Sequence, residues 1–234
     1  MNADYILQKL HSVADSKDAL HLQRFFKTGK GQYGEGDVFL GIRVPQIRDI
    51  VKTGKSLPFE DIEVLLNSEF HEARLTGFLF LVQQFKKAKK EEDRKAIFDF
   101  YLSNAQKANN WDLVDLSCRD IVGVYLLDKK DRSVLYSFAD SSNLWEQRIA
   151  IISTWTMIKY RDFSDVLKLS EKLMYHPHDL MHKAIGWMLR EVGKKDKEVL
   201  TVFLEKHHMV MPRTSLRYAI EHFSPEERSY FMQR

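Results

Sequence analysis

The sequence predicts an all-α fold, an α-α superhelix (solenoid) of stacked two-helix repeats. Apolar residues recur at three- and four-residue spacing along nearly the whole chain, as at Ile6, Leu10 and Val13, which is the period of an amphipathic helix. Alternation of apolar and polar residues, which is typical of strands, is scarce. The chain has 234 residues, of which 44% are hydrophobic, and this is enough to bury a sizeable core.

Glycine, proline and charged turns divide the chain into about a dozen helices. The breaks fall at residues 29–36, 54–58, 86–93, 128–131, 141–143, 177, 193–196, 212 and 225. We expect residues 1–234 to form a single HEAT-like repeat domain. In this interpretation the helices of residues 3–27 form an N-terminal cap and the repeats occupy residues 38–234. The glycine-rich segment between them lacks the spacing of a phosphate-binding loop, so we interpret it as a connector.

A weak internal repeat places a basic residue shortly before a small one. The basic residues are Arg74, Arg148, Lys183 and Arg217, and Asp115 occupies the corresponding place in one further unit. These positions are separated by 41, 33, 35 and 34 residues, close to the period of HEAT or armadillo repeats. Equivalent positions in stacked repeats project from one concave surface, where four cations suit a phosphate backbone. The small residues, which fit close helix packing, are Gly77, Ala150, Gly186 and Ala219.

The acid in this series points to chemistry on a sugar. Trp111 and Asp115 are four residues apart and share a helical face. An acid among cations weakens DNA binding, but a carboxylate stabilises the oxocarbenium charge that develops when a glycosidic bond breaks. Trp111 and Trp187 would add aromatic contacts to that sugar, and Arg148 would hold the adjoining phosphate. Spacing alone favours the structural alternatives over DNA chemistry. Trp145 and Trp155 would be core residues, Asp112 and Asp115 a helix cap and an ion-pair partner, and Arg148 a solvated cation.

Other kinds of site are not indicated by the sequence. A net charge of +3 does not by itself require a polyanionic partner. Cys118, the only cysteine, predicts a small core residue in a reducing compartment. His176 and His178 lack partner ligands at metal-binding spacing, and no serine or cysteine stands in a triad context. Because no stretch reaches the ~18 apolar residues of a membrane span and no signal peptide is evident, we expect a cytoplasmic protein.

Five stretches resemble the AlkD family of bacterial DNA alkylation repair glycosylases, which are built from HEAT-like repeats. They run in order through nearly the whole chain, and together they are far more specific than any one alone. The stretches are FLGIRVPQIR at 39–48, WDLVD at 111–115, NLWEQR at 143–148, KAIGWMLRE at 183–191 and RYAIE at 217–221.

The resemblance implies a monofunctional DNA glycosylase that hydrolyses the N-glycosidic bond of N3- and N7-alkylated purines without a base-flipping pocket. It implies no metal or organic cofactor, and action on duplex DNA in the bacterial nucleoid without an obligate protein partner. We expect a monomer, because this suits a protein that wraps a duplex. Trp111, Asp115, Arg148 and Trp187 match the family's residues that contact the lesion nucleotide. Phe25 stands where the family has a DNA-contacting tyrosine. The expected DNA-binding residues are Phe25, Arg74, Lys183, Arg190 and Arg217.

An alkylated purine already carries positive charge, so it leaves without protonation and one carboxylate suffices. Asp115 would stabilise the oxocarbenium ion and position the attacking water, while the tryptophans exclude bulk solvent. Two other readings of the same residues stay open. One is a noncatalytic module that binds distorted or branched DNA through the same cations. The other is a protein-interaction scaffold, which is a common use of helical solenoids.

Overall fold

The computed structural model describes residues 1–54 and 56–233, and helices dominate both stretches. The chain folds into two compact units, Met1–Ile121 (unit 1) and Val122–Arg234 (unit 2). Extended pairing in the described residues is limited to an isolated bridge between Val38 and Phe70. None of the helices in these two stretches is long and apolar enough to cross a membrane. The sequence predicts one domain, and it contains no signal for the boundary between the two units.

Unit 1 is organised around a central helix, α5, with α1, α3, α4, α6 and α7 packed against it. Nearly every residue of α5 from its first turn to Phe85 is buried, as expected for a helix that carries apolar residues on all sides. A 3-10 turn, Ala105–Lys107, precedes α7. The helices of unit 1 are α1 (Ala3–Ser12), α2 (Ser16–Phe25), α3 (Val44–Thr53), α4 (Phe59–Leu66), α5 (His71–Lys87), α6 (Glu91–Ser103) and α7 (Trp111–Asp115).

Two helices, α1 and α2, lie within residues 3–27, the segment for which the sequence predicts an N-terminal cap. Asn2 caps α1 by accepting a hydrogen bond from the Tyr5 amide, and Asp15 caps α2 by accepting from the amides of Lys17 and Asp18. Such side-chain acceptors satisfy amides that have no partner within the helix. The start of each of these two helices is therefore specified by a polar residue next to it in the sequence.

Unit 2 is a stack of two-helix repeats, in which α10 packs on α12 and α12 on α14. A Cβ added to Gly186 would lie 2.5 Å from both the Ser215 carbonyl oxygen and the Tyr218 Cβ, so this glycine allows α12 and α14 to approach closely. Trp145 is buried, as the core interpretation predicts. The helices of unit 2 are α8 (Val124–Leu126), α9 (Ser133–Ala139), α10 (Leu144–Lys159), α11 (Ser164–Lys172), α12 (Asp179–Lys195), α13 (Lys197–His207), α14 (Arg213–Ala219) and α15 (Pro225–Met232).

The register of the internal repeat is confirmed by the helix starts. Asp115, Arg148, Lys183 and Arg217 are each the fifth residue of their helix, and Arg74 is the fourth residue of α5. Four of these helices run on past that position, whereas α7 ends at Asp115. The odd residue of the series therefore lies at the end of an unusually short helix.

Ser117 gives a physical reason for the short α7. Its hydroxyl donates to the Leu113 carbonyl 2.5 Å away and is also bonded to Tyr101 Oη. A hydroxyl that bonds the carbonyl one turn back bends or interrupts a helix. A π-helical turn, Arg119–Gly123, follows directly, and such turns frequently lie at functional sites.

Candidate active site

Trp111 and Asp115 lie at the two ends of α7 and are both half-buried. Asn110 caps the helix, since its side-chain oxygen accepts from the Trp111 amide at 2.9 Å. The Trp111 indole stacks on Phe26 with ring centres 5.1 Å apart and meets Phe25 edge-on at 6.0 Å. Three residues expected at the site, Phe25, Trp111 and Asp115, are therefore grouped around α7 within unit 1.

The aromatic cluster continues inward from Trp111. Phe26 stacks on Phe39, and Phe39 in turn stacks on the imidazole of His71 with ring centres 4.3 Å apart. Phe25 lies at the outer end and is 57% exposed. The cluster thus joins an exposed phenyl ring to a buried imidazole, with the indole of Trp111 between solvent and core.

Beneath the aromatic cluster, His71 is held between two buried carboxylates. Its Nδ1 lies 2.8 Å from Asp37 Oδ2 and its Nε2 lies 2.9 Å from Asp112 Oδ2. The second Asp37 oxygen accepts from the guanidinium of Arg74. His71, Arg74, Asp37 and Asp112 together form a buried network of two cations and two anions, which we call the His71 network.

The two carboxylates decide the protonation of His71. Burial disfavours the imidazolium, but the charge of Asp112 and the hydrogen bonds to Asp112 and Asp37 outweigh it and raise the pKa of His71 to about 9. Burial opposes the charge on Asp37 in the same way, yet His71 and Arg74 hold the pKa of Asp37 below its usual range. At neutral pH the His71 ring is therefore protonated and donates from both nitrogens.

Glu72 anchors the segment that follows the connector. Its buried carboxylate accepts from the amides of Leu40, Gly41 and Ile42 at 2.9 to 3.1 Å. Gly41 has φ +85, and a Cβ there would lie 2.0 Å from the Asp15 carbonyl oxygen. The close approach explains why residue 41 is a glycine. The three hydrogen bonds hold the segment after the connector against the start of α5.

Sequence reasoning missed Asp37, His71 and Glu72. Their signal is the run His71-Glu72-Ala73-Arg74 at the start of a helix that is otherwise apolar. Charged groups that enter a core require charged or hydrogen-bonding partners. The run therefore indicates a buried ionic network, whereas the partner Asp37 is 34 residues away and carries no local signal.

The structure corrects the expectation that Arg74 and Arg148 project from an exposed basic surface. Arg74 is only 6% exposed, and its guanidinium donates to Asp37, to Asn109 and to the carbonyls of residues 68 and 69. Arg148 is 5% exposed, and its Nη1 donates to the Leu180 carbonyl at 2.7 Å. Both residues instead join the start of their own helix to the following repeat.

The remaining expected DNA-binding residues lie in unit 2 and are more accessible. Arg217 is exposed, and Lys183 and Arg190 are partly exposed. Lys183 pairs with Asp179 at 2.7 Å, and Arg190 pairs with Glu221. Hydrogen bonds from these two cations lower the pKa of Asp179 and of Glu221. Surface ion pairs of this kind contribute about 1 kcal/mol or less to stability.

The last predicted site residue of unit 2 is Trp187. Two histidines considered as metal ligands from the sequence lie near the start of the same helix, α12. Trp187 is half-buried on α12. His178 caps that helix by accepting from the Leu180 amide, and His176 Nε2 bonds Gln147 at 2.8 Å. Among the described residues, no group of three or more His, Cys, Asp or Glu side chains is placed to hold a metal ion. His176 and His178 thus have structural partners.

The fold defines an all-α protein of two-helix repeats, as the sequence predicts. Residues 6–223 match the family described as DNA alkylation repair enzyme, and the chain belongs to this family. The family acts on DNA, so DNA is the expected substrate.

A solved structure supports the fold assignment. The protein described as "Predicted DNA alkylation repair enzyme from Enterococcus faecalis" superposes with a TM-score of 0.71 at 18% identity, covering 91% of this chain and 97% of that chain. No curated protein matches the sequence significantly. The whole-chain superposition confirms the predicted all-α repeat fold.

Proposed function

We propose that this protein is a DNA glycosylase that hydrolyses the N-glycosidic bond of N3- or N7-alkylated purines, with Asp115 as the catalytic carboxylate. The observation that carries the proposal is the placement of Asp115, half-buried at the end of a short helix that begins with Trp111 in an aromatic cluster. Membership of the DNA alkylation repair family supports alkylated DNA as the substrate.

The proposed reaction requires one carboxylate and no protonation of the leaving base. When the bond between C1′ and the purine nitrogen breaks, the electron pair leaves with the base and neutralises its positive charge. The sugar is left as an oxocarbenium ion, which the carboxylate of Asp115 stabilises. A water molecule positioned by Asp115 then adds to C1′ and gives up a proton to the Asp115 carboxylate, which yields an abasic site. Trp111 and Trp187 would limit access of bulk water to the sugar.

The proposed phosphate contacts come from Lys183, Arg190 and Arg217. Phe25 would contact the DNA beside Trp111, because it is the exposed end of the aromatic cluster. Arg148 would act through the Leu180 carbonyl, which fixes the start of the helix that carries Lys183 and Trp187. Arg74 is left out of this set because its donors are engaged within the protein.

Release of 7-methylguanine from a duplex with a single N7-methylguanine tests the proposal. We expect release by wild type, and an Asp115→Asn variant that binds the duplex at least as tightly but releases at least ~100-fold less base, as for other electrostatic catalytic groups. Asp99→Asn is a matched control, because Asp99 is an exposed acid of the same unit that pairs with Lys95 at 2.6 Å. It should release base at the wild-type rate.

The other outcomes separate the alternative functions. Salt-sensitive binding of duplex or branched DNA without base release would assign a noncatalytic DNA-binding module. Absence of DNA binding even at low salt would favour a protein-interaction scaffold. An Asp115→Asn variant that fails to fold would support a structural role for this carboxylate.

A further inference from the structure

We propose that His71 is a positioning residue for the reaction: its imidazolium, held between Asp37 and Asp112, fixes the first turn of α7 and the aromatic cluster on which Trp111 rests. This inference rests on the proposed glycosylase function and deepens it. His71 itself is buried beneath the site, so its effect on the substrate would be exerted through Trp111 and Asp115.

The first connection from His71 to α7 runs through Asp112, which is adjacent to Trp111 in the chain. One Asp112 oxygen bonds His71 Nε2 at 2.9 Å, and the other accepts from the Leu113 amide at 2.9 Å. The carboxylate therefore ties the imidazolium to the backbone of the first turn. Movement of Asp112 would reorient the short helix that ends at Asp115.

The second connection runs through the aromatic rings. The ring centres of His71 and Phe26 are 5.1 Å apart. Those of Phe26 and Trp111 are also 5.1 Å apart, and the planes of these two rings differ by only 20°. The indole is thus supported by a ring that is itself packed on the imidazole. Catalytic groups displaced by about 1 Å can lose on the order of 100-fold in rate, so this support bears on the reaction.

The charges around His71 explain why its proton matters. Asp37 and Arg74 face it from one side and Asp112 from the other, whereas the Glu72 carboxylate is engaged by three backbone amides. A neutral imidazole donates from one nitrogen only. Loss of the proton would therefore break one of the two carboxylate contacts and leave an excess negative charge in the core, which is costly.

The test is the pH profile of single-turnover base release from the N7-methylguanine duplex between pH 6 and 9.5, corrected for release without enzyme. The wild-type rate should fall only as the pH approaches the His71 pKa of about 9. Asp112→Asn keeps one of the two acceptor oxygens but removes the negative charge that raises this pKa. Relative to its own rate at pH 6, its rate should therefore fall at a lower pH than that of wild type, and the ratio of its rates at pH 8 and pH 6 should be at least ~2-fold lower than the wild-type ratio. Asp99→Asn should follow wild type.

Two results would overturn the inference. The first is an Asp112→Asn rate that is lowered by the same factor at every pH, since a merely structural role predicts no shift of the profile. The second is a His71→Gln variant that folds and retains the wild-type rate and profile. Absence of release by wild type at every pH would instead contradict the proposed function.

A measurement on the free protein keeps the two questions separate. The Trp111 indole N–H signal of 15N-labelled protein, assigned with a Trp111→Phe variant, should shift with pH near 9 in wild type. In Asp112→Asn the same shift should occur at lower pH. An indole signal that does not change between pH 6 and 9.5 would contradict the positioning role whether or not base is released.

Discussion

Raising the pH should destabilise this protein by removing the proton from His71. The pKa of His71 is about 6.5 in an unfolded chain and about 9 in the fold, and one unit corresponds to about 1.4 kcal/mol. Between pH 6.5 and 9 the folded state retains a proton that the unfolded state has released. The unfolding free energy should therefore fall by about 1.4 kcal/mol per pH unit, and by about 3 kcal/mol in all.

The stability contributed by His71 falls as the pH rises, and this direction sets the pH range of the assay. The contribution of His71 is fully present below pH 6.5 and is lost as the pH rises through about 9. Urea unfolding at pH 6, 7, 8 and 9, followed by circular dichroism, measures it. His71→Gln removes the titrating ring, so its stability should be about 3–5 kcal/mol lower at pH 6, because two buried carboxylates lose their shared cation.

Two outcomes would refute this reasoning about His71. A loss of unfolding free energy below about 1 kcal/mol between pH 6 and 9 in wild type would show that the ring is not protonated in the fold. A His71→Gln variant that shows the same decline as wild type would assign the pH dependence to other groups. If His71→Gln does not fold, Asp112→Asn serves instead, and its decline should be smaller and complete at lower pH.

Three further predictions concern other parts of the chain. Glu72→Gln leaves at least one of the three amides without an acceptor, so urea unfolding should show a loss of about 3 kcal/mol; a loss below 1 kcal/mol would contradict the anchoring role. Gly186→Ala should cost about 1–3 kcal/mol by overpacking against backbone, and more than Gly193→Ala, where the added Cβ meets only the end of the Leu200 side chain. Arg217→Ala should fold normally and reduce the slope of log Kobs against log salt by at most about 0.9; an unchanged slope and affinity for duplex DNA would remove Arg217 from the phosphate contacts.

The sequence by itself determined the local features of this protein. The apolar period and the breaks at glycine, proline and charged turns predicted helices, and the spacing of the basic series predicted the repeat. The structure places Asp115, Arg148, Lys183 and Arg217 at the same position of their helices. These features depend on residues within one or two turns of each other, which is why a single sequence suffices to predict them.

Only the tertiary structure decided which of the equivalent basic residues are accessible. Arg74 and Arg217 occupy the same place in the repeat pattern, yet Arg74 is buried and Arg217 is exposed. The difference arises because α5 is covered by five neighbouring helices, so its arginine must find acceptors inside the protein. Burial depends on contacts between distant segments, so the repeat pattern in the sequence does not predict which of its basic residues are buried.

The His71 network was likewise decided by tertiary contacts. Asp37 lies 34 residues before His71 and Asp112 lies 41 residues after it. The connector, α5 and α7 must all be in place before the three side chains meet, and the raised pKa of His71 follows from that meeting. Sequence spacing predicted that Trp111 and Asp115 share one helix, as they do. It could not predict the buried cation beneath them, because its partners are brought together only by the packing of unit 1.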